Sequence, residues 1–140
     1  MSDPSSILFP MTALVTLTFA VLVLIPVRRF RAGGAGLVTY DDFRYGESAR
    51  VPPEVALPNR NLMNLLELPV LFYVACLTCY VTGKVNGAAL ALAWTYVGLR
   101  IVHSAIHLTY NQVRHRLLAY AASNVALVML WTNLLRGIAS

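Results

Sequence analysis

Four long apolar stretches dominate this 140-residue chain and restrict what it can fold into. They run from about Ile7 to Val27, Leu62 to Val81, Gly87 to Leu108 and Leu117 to Leu135. Each is close to the ~20 residues with which an α-helix crosses a bilayer core at about 1.5 Å per residue. Charged residues make up 12% of the chain, against about 25% in an ordinary soluble domain. We therefore predict an all-α membrane protein in which residues 1–140 form one domain, a bundle of four transmembrane helices.

The connections between these stretches differ in length. Residues 28–58 separate the first two and are rich in Gly, Pro and charge, without a sustained hydrophobic period. A connection of this length predicts an aqueous loop that serves either as a functional lid or as a flexible segment. The turns at 82–86 and 110–116 are short, so the helices that they join are expected to be antiparallel.

Arginine is distributed unevenly along the chain, which predicts its orientation in the membrane. One side of a four-span arrangement receives Arg28, Arg29, Arg31, Arg44, Arg50, Arg60, Arg114 and Arg116. Lys84 and Arg136 fall on the other side. By the positive-inside rule the first side is cytoplasmic and both termini are non-cytoplasmic, in an inner or cell membrane. The net charge of +5 is therefore a topology signal, and no basic face of a soluble element indicates nucleic-acid binding.

Polar residues recur on one face of the second stretch. Arg60, Asn64 and Glu67 stand at positions i, i+4 and i+7, so a helix places them together near its cytoplasmic end. A charged side chain at the centre of a bilayer costs roughly 2.5–3.5 kcal/mol, and such residues usually face a site or a partner. This polar stripe is a candidate functional site.

A second polar stripe runs along the third stretch and its exit. Its members stand at i, i+3, i+7, i+10 and i+14 of one helix face: Arg100, His103, His107, Tyr110 and Arg114. Because the second and third helices are antiparallel, the two stripes overlap in depth. We predict a shared polar cleft that opens to the cytoplasmic side.

Two interpretations of this cleft are open from the residues alone. In the first, it is an interhelical clasp in which Glu67 neutralises Arg100 or a protonated His103. In the second, it binds an anion with more than one acidic group, because one buried carboxylate cannot satisfy several guanidinium groups. The groups in question are those of Arg60, Arg100, Arg114 and Arg116.

Redox and metal chemistry are poorer interpretations. Cys76 and Cys79 form a CxxC inside a membrane helix without a thioredoxin-like βαβ pattern, so packing is favoured. His103 and His107 stand at i and i+4, but neither a third ligand nor the glutamate of HExxH accompanies them. We predict no metal site.

The string Arg60-x-x-x-Asn64-x-x-Glu67, followed by Pro69, resembles the motif of the membrane-associated proteins in eicosanoid and glutathione metabolism, the MAPEG family. That family includes the microsomal glutathione transferases, the leukotriene- and prostaglandin-forming synthases and the five-lipoxygenase-activating protein. The resemblance extends over nearly the whole chain, because the length, the four spans, the long first loop and the helix that begins its stripe at Arg100 also agree.

The resemblance implies a homotrimer that binds glutathione between adjacent subunits near the cytoplasmic side. The residues that would bind glutathione are Arg28, Arg60, Asn64, Glu67, Arg100, His103, His107, Tyr110 and Tyr120. An arginine at the start of the fourth helix is the family's proposed thiol activator. Arg116 is the better match, since Arg116-x-x-x-Tyr120 resembles the prostaglandin-forming branch, and Arg114 is the second candidate.

The chemistry that this implies is a glutathione-dependent transfer or peroxidase reaction. A free thiol titrates at about 8.5, and a guanidinium group beside it favours the nucleophilic thiolate. Glu67 would meet the α-ammonium group of glutathione, and a lipophilic electrophile or hydroperoxide would arrive from the bilayer.

One position departs from the resemblance. Seven residues after Arg100 the transferring members usually have Tyr, and this chain has His107, with Tyr110 one turn on. Two other functions therefore stay open. The chain could bind a lipid or anion without catalysis, or it could be a small transporter subunit with the histidines as a proton relay. Absence of an inverted repeat argues against the transporter.

Overall fold

The computed structural model describes residues 3–139, which form α-helices and short 3₁₀ turns and contain no β-strand. The helices are α1 (Leu8–Gly34), α2 (Pro53–Leu66), α3 (Pro69–Val81), α4 (Gly87–Leu108) and α5 (Val113–Ala139). Four segments are long and apolar enough to span a membrane: Pro4–Gly34, Pro53–Val81, Gly87–Leu108 and Val113–Ala139. The predicted all-α class with four membrane spans is confirmed.

The connection between the first two spans is shorter than the predicted loop at 28–58. α1 continues to Gly34 and α2 begins at Pro53, so residues 35–52 lie between them. α1 continues because arginines are good helix formers, and it ends where Gly36 adopts a φ of +73°. Pro53 suits the first position of α2, where its missing N–H removes no helical bond.

This connection is packed against α1 and α2. Ala32, Val38 and Val55 form a small buried cluster. The guanidinium of Arg29 lies 3.2 Å from Glu47 Oε1 and 4.4 Å from the centre of the Phe43 ring. The segment therefore has an apolar core of its own and an ion pair that ties it to α1.

The second span is two helices, and not the single helix over 62–81 that the sequence predicted. α2 ends at Leu66 and α3 begins at Pro69. Pro69 has no N–H to bond the carbonyl of Leu65, four residues earlier, and its ring would clash with that carbonyl, so one continuous helix cannot pass through this point. Glu67 leaves the helix, with φ −86° and ψ −105°, and its side chain is exposed at the break.

One face of α4 changes from apolar to polar along its length, and this change positions the site. The buried residues of this face include Ala89, Ala93, Tyr96, Arg100, His103 and His107. At the apolar end, Tyr96 stacks on Phe72 of α3 with ring centres 4.6 Å apart. The apolar half thus forms the core with α3, and the polar half lies between α2 and the start of α5.

Cys76 and Cys79 are fully buried in the same apolar core, and both are free thiols. Their neighbours in this core include Phe72 and Ala75 of the same helix. Both side chains act here as small apolar residues.

Asp42 organises residues 39–48 by hydrogen bonds. Its Oδ2 accepts from the Thr39 N–H at 2.8 Å, and its Oδ1 accepts from the Ser48 hydroxyl at 2.7 Å. The hydrogen bond from Ser48, followed by that from the Thr39 N–H, holds the pKa of Asp42 below its usual value. A carboxyl group whose pKa is lowered by folding stabilises the folded state above its unfolded pKa. That contribution is lost as the pH falls through the folded pKa.

We therefore expect Asp42→Asn to accelerate hydrogen exchange at the amides of residues 39–48 at neutral pH. Wild-type protein should lose this protection only below about pH 4, after correction for the intrinsic exchange rate. Asp41→Asn is the matched control, because the neighbouring Asp41 is exposed. Equal exchange in the two variants would contradict the role assigned to Asp42.

Candidate functional site

A cavity of about 380 Å³ lies where α2, α4 and the start of α5 meet. Its lining is Leu57, Arg60, Asn64, His103, His107, Asn111, Val113, Arg116, Leu117 and Tyr120. Those that the sequence predicted as site residues are Arg60, Asn64, His103, His107, Arg116 and Tyr120. The volume is within the range of small-molecule sites, roughly 300–1,000 Å³. The lining contains two guanidinium groups and no carboxylate, so the cavity favours an anion.

Arg116 lies in the first turn of α5 and is half-buried in the cavity wall. Its Nη1 donates to Asn111 Oδ1 at 2.7 Å, which fixes the guanidinium. Its backbone carbonyl lies 3.1 Å from His103 Nδ1. Because the N-terminal end of a helix carries a partial positive charge, α5 adds to the positive potential that Arg116 creates.

Asn111 is a site residue that the sequence analysis missed. It adopts φ 47°, in the left-handed region that Asn tolerates better than most residues. Its N–H donates to the Ile106 carbonyl at 2.8 Å, which closes the end of α4. An Asn in a short turn between two helices was the available signal.

The two histidines of α4 have different partners. His107 Nδ1 lies 3.2 Å from the amide nitrogen of Asn61, a fully buried residue of α2 that the sequence analysis also missed. His103 lies close to His107 and Tyr120, with ring centres 5.8 Å and 5.6 Å away. Asn61 stands one helical turn before Asn64, and that spacing was the signal that could have identified it.

Arg100 does not line the cavity but is fully buried behind it. Its Nη2 donates to the Asn64 carbonyl at 2.8 Å, and its Cζ is 5.6 Å from the centre of the Tyr120 ring. Its Nε and Nη1 have no hydrogen-bond partner among residues 3–139. Buried polar groups are nearly always paired, so Arg100 has capacity for a further acceptor.

Glu67 forms no ion pair with any cation in the described part of the chain, so the clasp with Arg100 or His103 is absent there. The carboxylate is exposed at the α2/α3 break, inside the segment that could span the membrane. An exposed carboxylate at that depth is costly unless a partner or water reaches it.

Arg28 joins the ends of three helices and is not part of the cavity lining. Its Nη1 donates to the Glu54 carbonyl at 2.7 Å, and its Nη2 donates to the Leu108 carbonyl at 3.1 Å. The carbonyl of Glu54 needs this donor because its helical partner would be the N–H of Pro58, which does not exist. Leu108 ends α4, so its carbonyl also lacks a helical partner.

The remaining predicted residues lie outside the cavity. Tyr110 is 61% exposed, and its hydroxyl is 3.0 Å from His115 Nδ1. Arg114 is exposed and does not line the cavity. Of the two candidate activators, Arg116 lines the cavity and Arg114 does not.

The four spans indicate an integral membrane protein, and the polar cavity is its candidate small-molecule site. The sequence profile of the MAPEG family matches residues 7–136, nearly the whole chain. The chain belongs to the MAPEG family, and the resemblance inferred from its motif is confirmed. This membership supports a membrane protein of the kind that acts in glutathione or eicosanoid metabolism. Neither a curated protein nor a solved structure matches the chain.

The two roles of Asn111 can be separated by substitution. Asn111→Gly keeps the left-handed backbone but removes the acceptor for Arg116, whereas Asn111→Ala removes both. We expect the Ala variant to be about 1 kcal/mol less stable than the Gly variant, because a Cβ is unfavourable at this φ. Thermal unfolding in detergent measures the difference. Equal stability of the two variants would contradict the backbone role.

Proposed function

We propose that this protein binds glutathione in the cavity, ionises its thiol and either joins the thiolate to a lipophilic electrophile through a new S–C bond or uses it to reduce a hydroperoxide. The observation that carries the proposal is Arg116, whose guanidinium is held in the cavity wall by Asn111. MAPEG proteins generally use glutathione as a substrate, and this supports the choice of ligand.

The charges of the cavity fit glutathione. This tripeptide carries two carboxylates, and Arg60 and Arg116 provide donors that match carboxylate geometry. Asn64 adds an amide to the same wall, and Tyr120 adds a phenol. Arg100 stands behind this wall with two nitrogens that have no hydrogen-bond partner among residues 3–139, and it adds positive charge to this side of the cavity. Arg60 would bind a carboxylate, and Arg116 would face the thiol.

Arg116 would act by electrostatics. Its guanidinium stays protonated at all relevant pH values, so it stabilises a thiolate beside it without accepting the proton. In a transfer reaction the sulfur forms a bond to carbon and the leaving group departs. In a peroxidase reaction the sulfur attacks the O–O bond, an alcohol leaves, and a second glutathione reduces the resulting sulfenic acid with loss of water. Both reactions begin with the same thiolate.

The surroundings of the cavity suggest how the other components meet. We propose that residues 1–140 act as one domain, that the chain is a homotrimer and that Glu67 is satisfied at a subunit boundary by the ammonium group of glutathione. Glu67 supports this because its carboxylate is exposed and makes no ion pair within residues 3–139. The lipophilic substrate would enter from the bilayer.

The positions of the basic residues also support an orientation of the bundle across the membrane. Asn111 lines the cavity, and residues 47–51 of the arginine-bearing connection border a smaller pocket that shares Arg60 and Asn111 with it. Lys84 and Gly137 lie together at the opposite end. We propose that the cavity faces the cytoplasm across an inner or cell membrane and that both termini are on the other side.

Arg116→Ala should decrease the ultraviolet absorbance of the glutathione thiolate by roughly tenfold or more at neutral pH, because a nearby charge shifts a thiol pKa by about a unit or more. Arg114→Ala is the matched control, since Arg114 is exposed outside the cavity. Difference absorbance during a glutathione titration of detergent-solubilised protein measures both variants. Equal loss in both, or in neither, would remove Arg116 from its role.

Titration of the wild-type protein with glutathione also distinguishes a catalytic protein from a non-catalytic binding protein. Saturable binding together with thiolate absorbance supports catalysis. Saturable binding without ionisation would make the protein a non-catalytic member of its fold, and no binding at all would favour a lipid- or anion-binding protein.

A separate expectation concerns Glu67. Glu67→Gln should weaken glutathione binding by roughly tenfold, because a charge-assisted hydrogen bond contributes about 1.5–3 kcal/mol. Glu54→Gln is the control, because Glu54 is exposed and only its backbone carbonyl is bonded. Isothermal titration and the native mass of both variants are the measurements. Unchanged binding and unchanged mass in the Glu67→Gln protein would contradict a place for Glu67 at a subunit boundary.

A further inference from the structure

The contact between Asn61 and His107 indicates which ring nitrogen of His107 carries the proton. Asn61 is fully buried on α2, and His107 is 3% exposed in the last turn of α4. The amide nitrogen Nδ2 of Asn61 lies 3.2 Å from Nδ1 of His107. In this orientation of the Asn61 amide, whose Oδ1 has no partner among residues 3–139, Nδ2 can only donate, so Nδ1 accepts and carries no proton. A neutral imidazole with an unprotonated Nδ1 has its proton on Nε2.

His103 has the opposite arrangement. Its Nδ1 lies 3.1 Å from the backbone carbonyl of Arg116, which can only accept. Nδ1 of His103 therefore carries the proton, and its Nε2 is unprotonated and without a partner among residues 3–139. Two imidazoles whose centres are 5.8 Å apart thus hold different tautomers, each specified by a separate neighbour.

We infer that Asn61 is a positioning residue that fixes His107 as the Nε2–H tautomer, so that this ring donates a hydrogen bond to an acceptor bound in the cavity. His107 lines the cavity and makes no hydrogen bond through Nε2 to a described residue. Asn61 is not part of the lining, so its effect reaches the ligand through His107.

This inference deepens the proposed function and rests on it for the identity of the acceptor, the thiolate sulfur of glutathione. The sulfur would accept from His107 Nε2–H while Arg116 supplies the charge. A ring fixed in the other tautomer would present a lone pair to the sulfur and repel it. The amide of Asn61 thus determines whether a histidine at this position can serve as a donor.

The direct test is ¹⁵N NMR of the full chain in detergent with labelled histidine, because protonated and unprotonated ring nitrogens have well-separated shifts. Single substitutions of His103, His107 and His115 to Gln assign the signals. We expect wild-type His107 to be Nε2–H and His103 to be Nδ1–H. Wild-type His107 with its proton on Nδ1 would overturn the inference.

Variants at Asn61 test whether this residue determines the tautomer of His107. Asn61→Asp offers His107 a carboxylate acceptor of nearly the same shape, so we expect a proton on Nδ1. Asn61→Leu removes the donor and should give a mixture of tautomers. Asn59→Asp is the matched control, because Asn59 lies on the same helix, outside the cavity lining, and should leave the tautomer of His107 unchanged. A wild-type spectrum in the Asn61→Asp protein would also overturn the inference.

A glutathione titration links the tautomer to function. Asn61→Leu should raise the midpoint pH of thiolate formation by about half to one unit and change the glutathione Kd by no more than about twofold, as expected from the loss of one neutral hydrogen bond to the sulfur. If wild-type His107 is Nε2–H and wild-type His103 is Nδ1–H, as expected, but the protein binds no glutathione, the proposed function fails. The role of Asn61 in fixing the tautomer of His107 then stands. If glutathione is ionised equally well by wild-type protein and by the Asn61→Leu protein, the role of Asn61 fails and the proposed function stands.

Discussion

The site depends on the guanidinium of Arg28, which holds together the helices that enclose it. Near a bilayer, main-chain polar groups must find partners within the protein. Pro58 has no N–H, so the carbonyl of Glu54 lacks its helical donor. The carbonyl of Leu108 also lacks a helical donor, because α4 ends at this residue. Arg28 bonds both, so one side chain of α1 ties α2 to α4 at this end of the bundle, in addition to the direct bonds of Arg100 and Asn61 between the two helices. These two helices carry Arg60 and His107 into the same cavity.

Once the helices are fixed, backbone and amide groups orient the polar side chains of the cavity. The carbonyl of Arg116 holds His103, the amide of Asn61 holds His107, and the amide of Asn111 holds the Arg116 guanidinium. None of these partners is an acid, so the positive charge of the wall is oriented without being neutralised. Such preorganisation is what makes charge effective at a developing anion, because no reorientation is needed when the anion forms.

The sequence predicted the parts of the site that follow from helical periodicity. Asn64 and His107 lie where the i+4 and i+7 spacings placed them, because both stripes lie within continuous helix there. Tyr110 and Arg114 lie outside the cavity because α4 ends at Leu108, so a period extended past that residue no longer describes one face. Asn61 was missed because its position one turn before Asn64 does not by itself show that its amide is buried against His107.

Arg100 and Glu67 form no ion pair among residues 3–139, and their positions bear on the choice between the two interpretations of the cleft. Arg100 is fully buried with two unpaired nitrogens, and Glu67 is exposed at the break imposed by Pro69, with no ion pair among residues 3–139. A direct pair between them would satisfy both, yet Arg100 instead bonds the Asn64 carbonyl. A buried charge is tolerated when an additional acceptor completes its coordination, and a carboxylate at membrane depth is tolerated when a cation reaches it. Because Arg100 and Glu67 do not pair with each other among residues 3–139, an internal clasp does not account for these two residues.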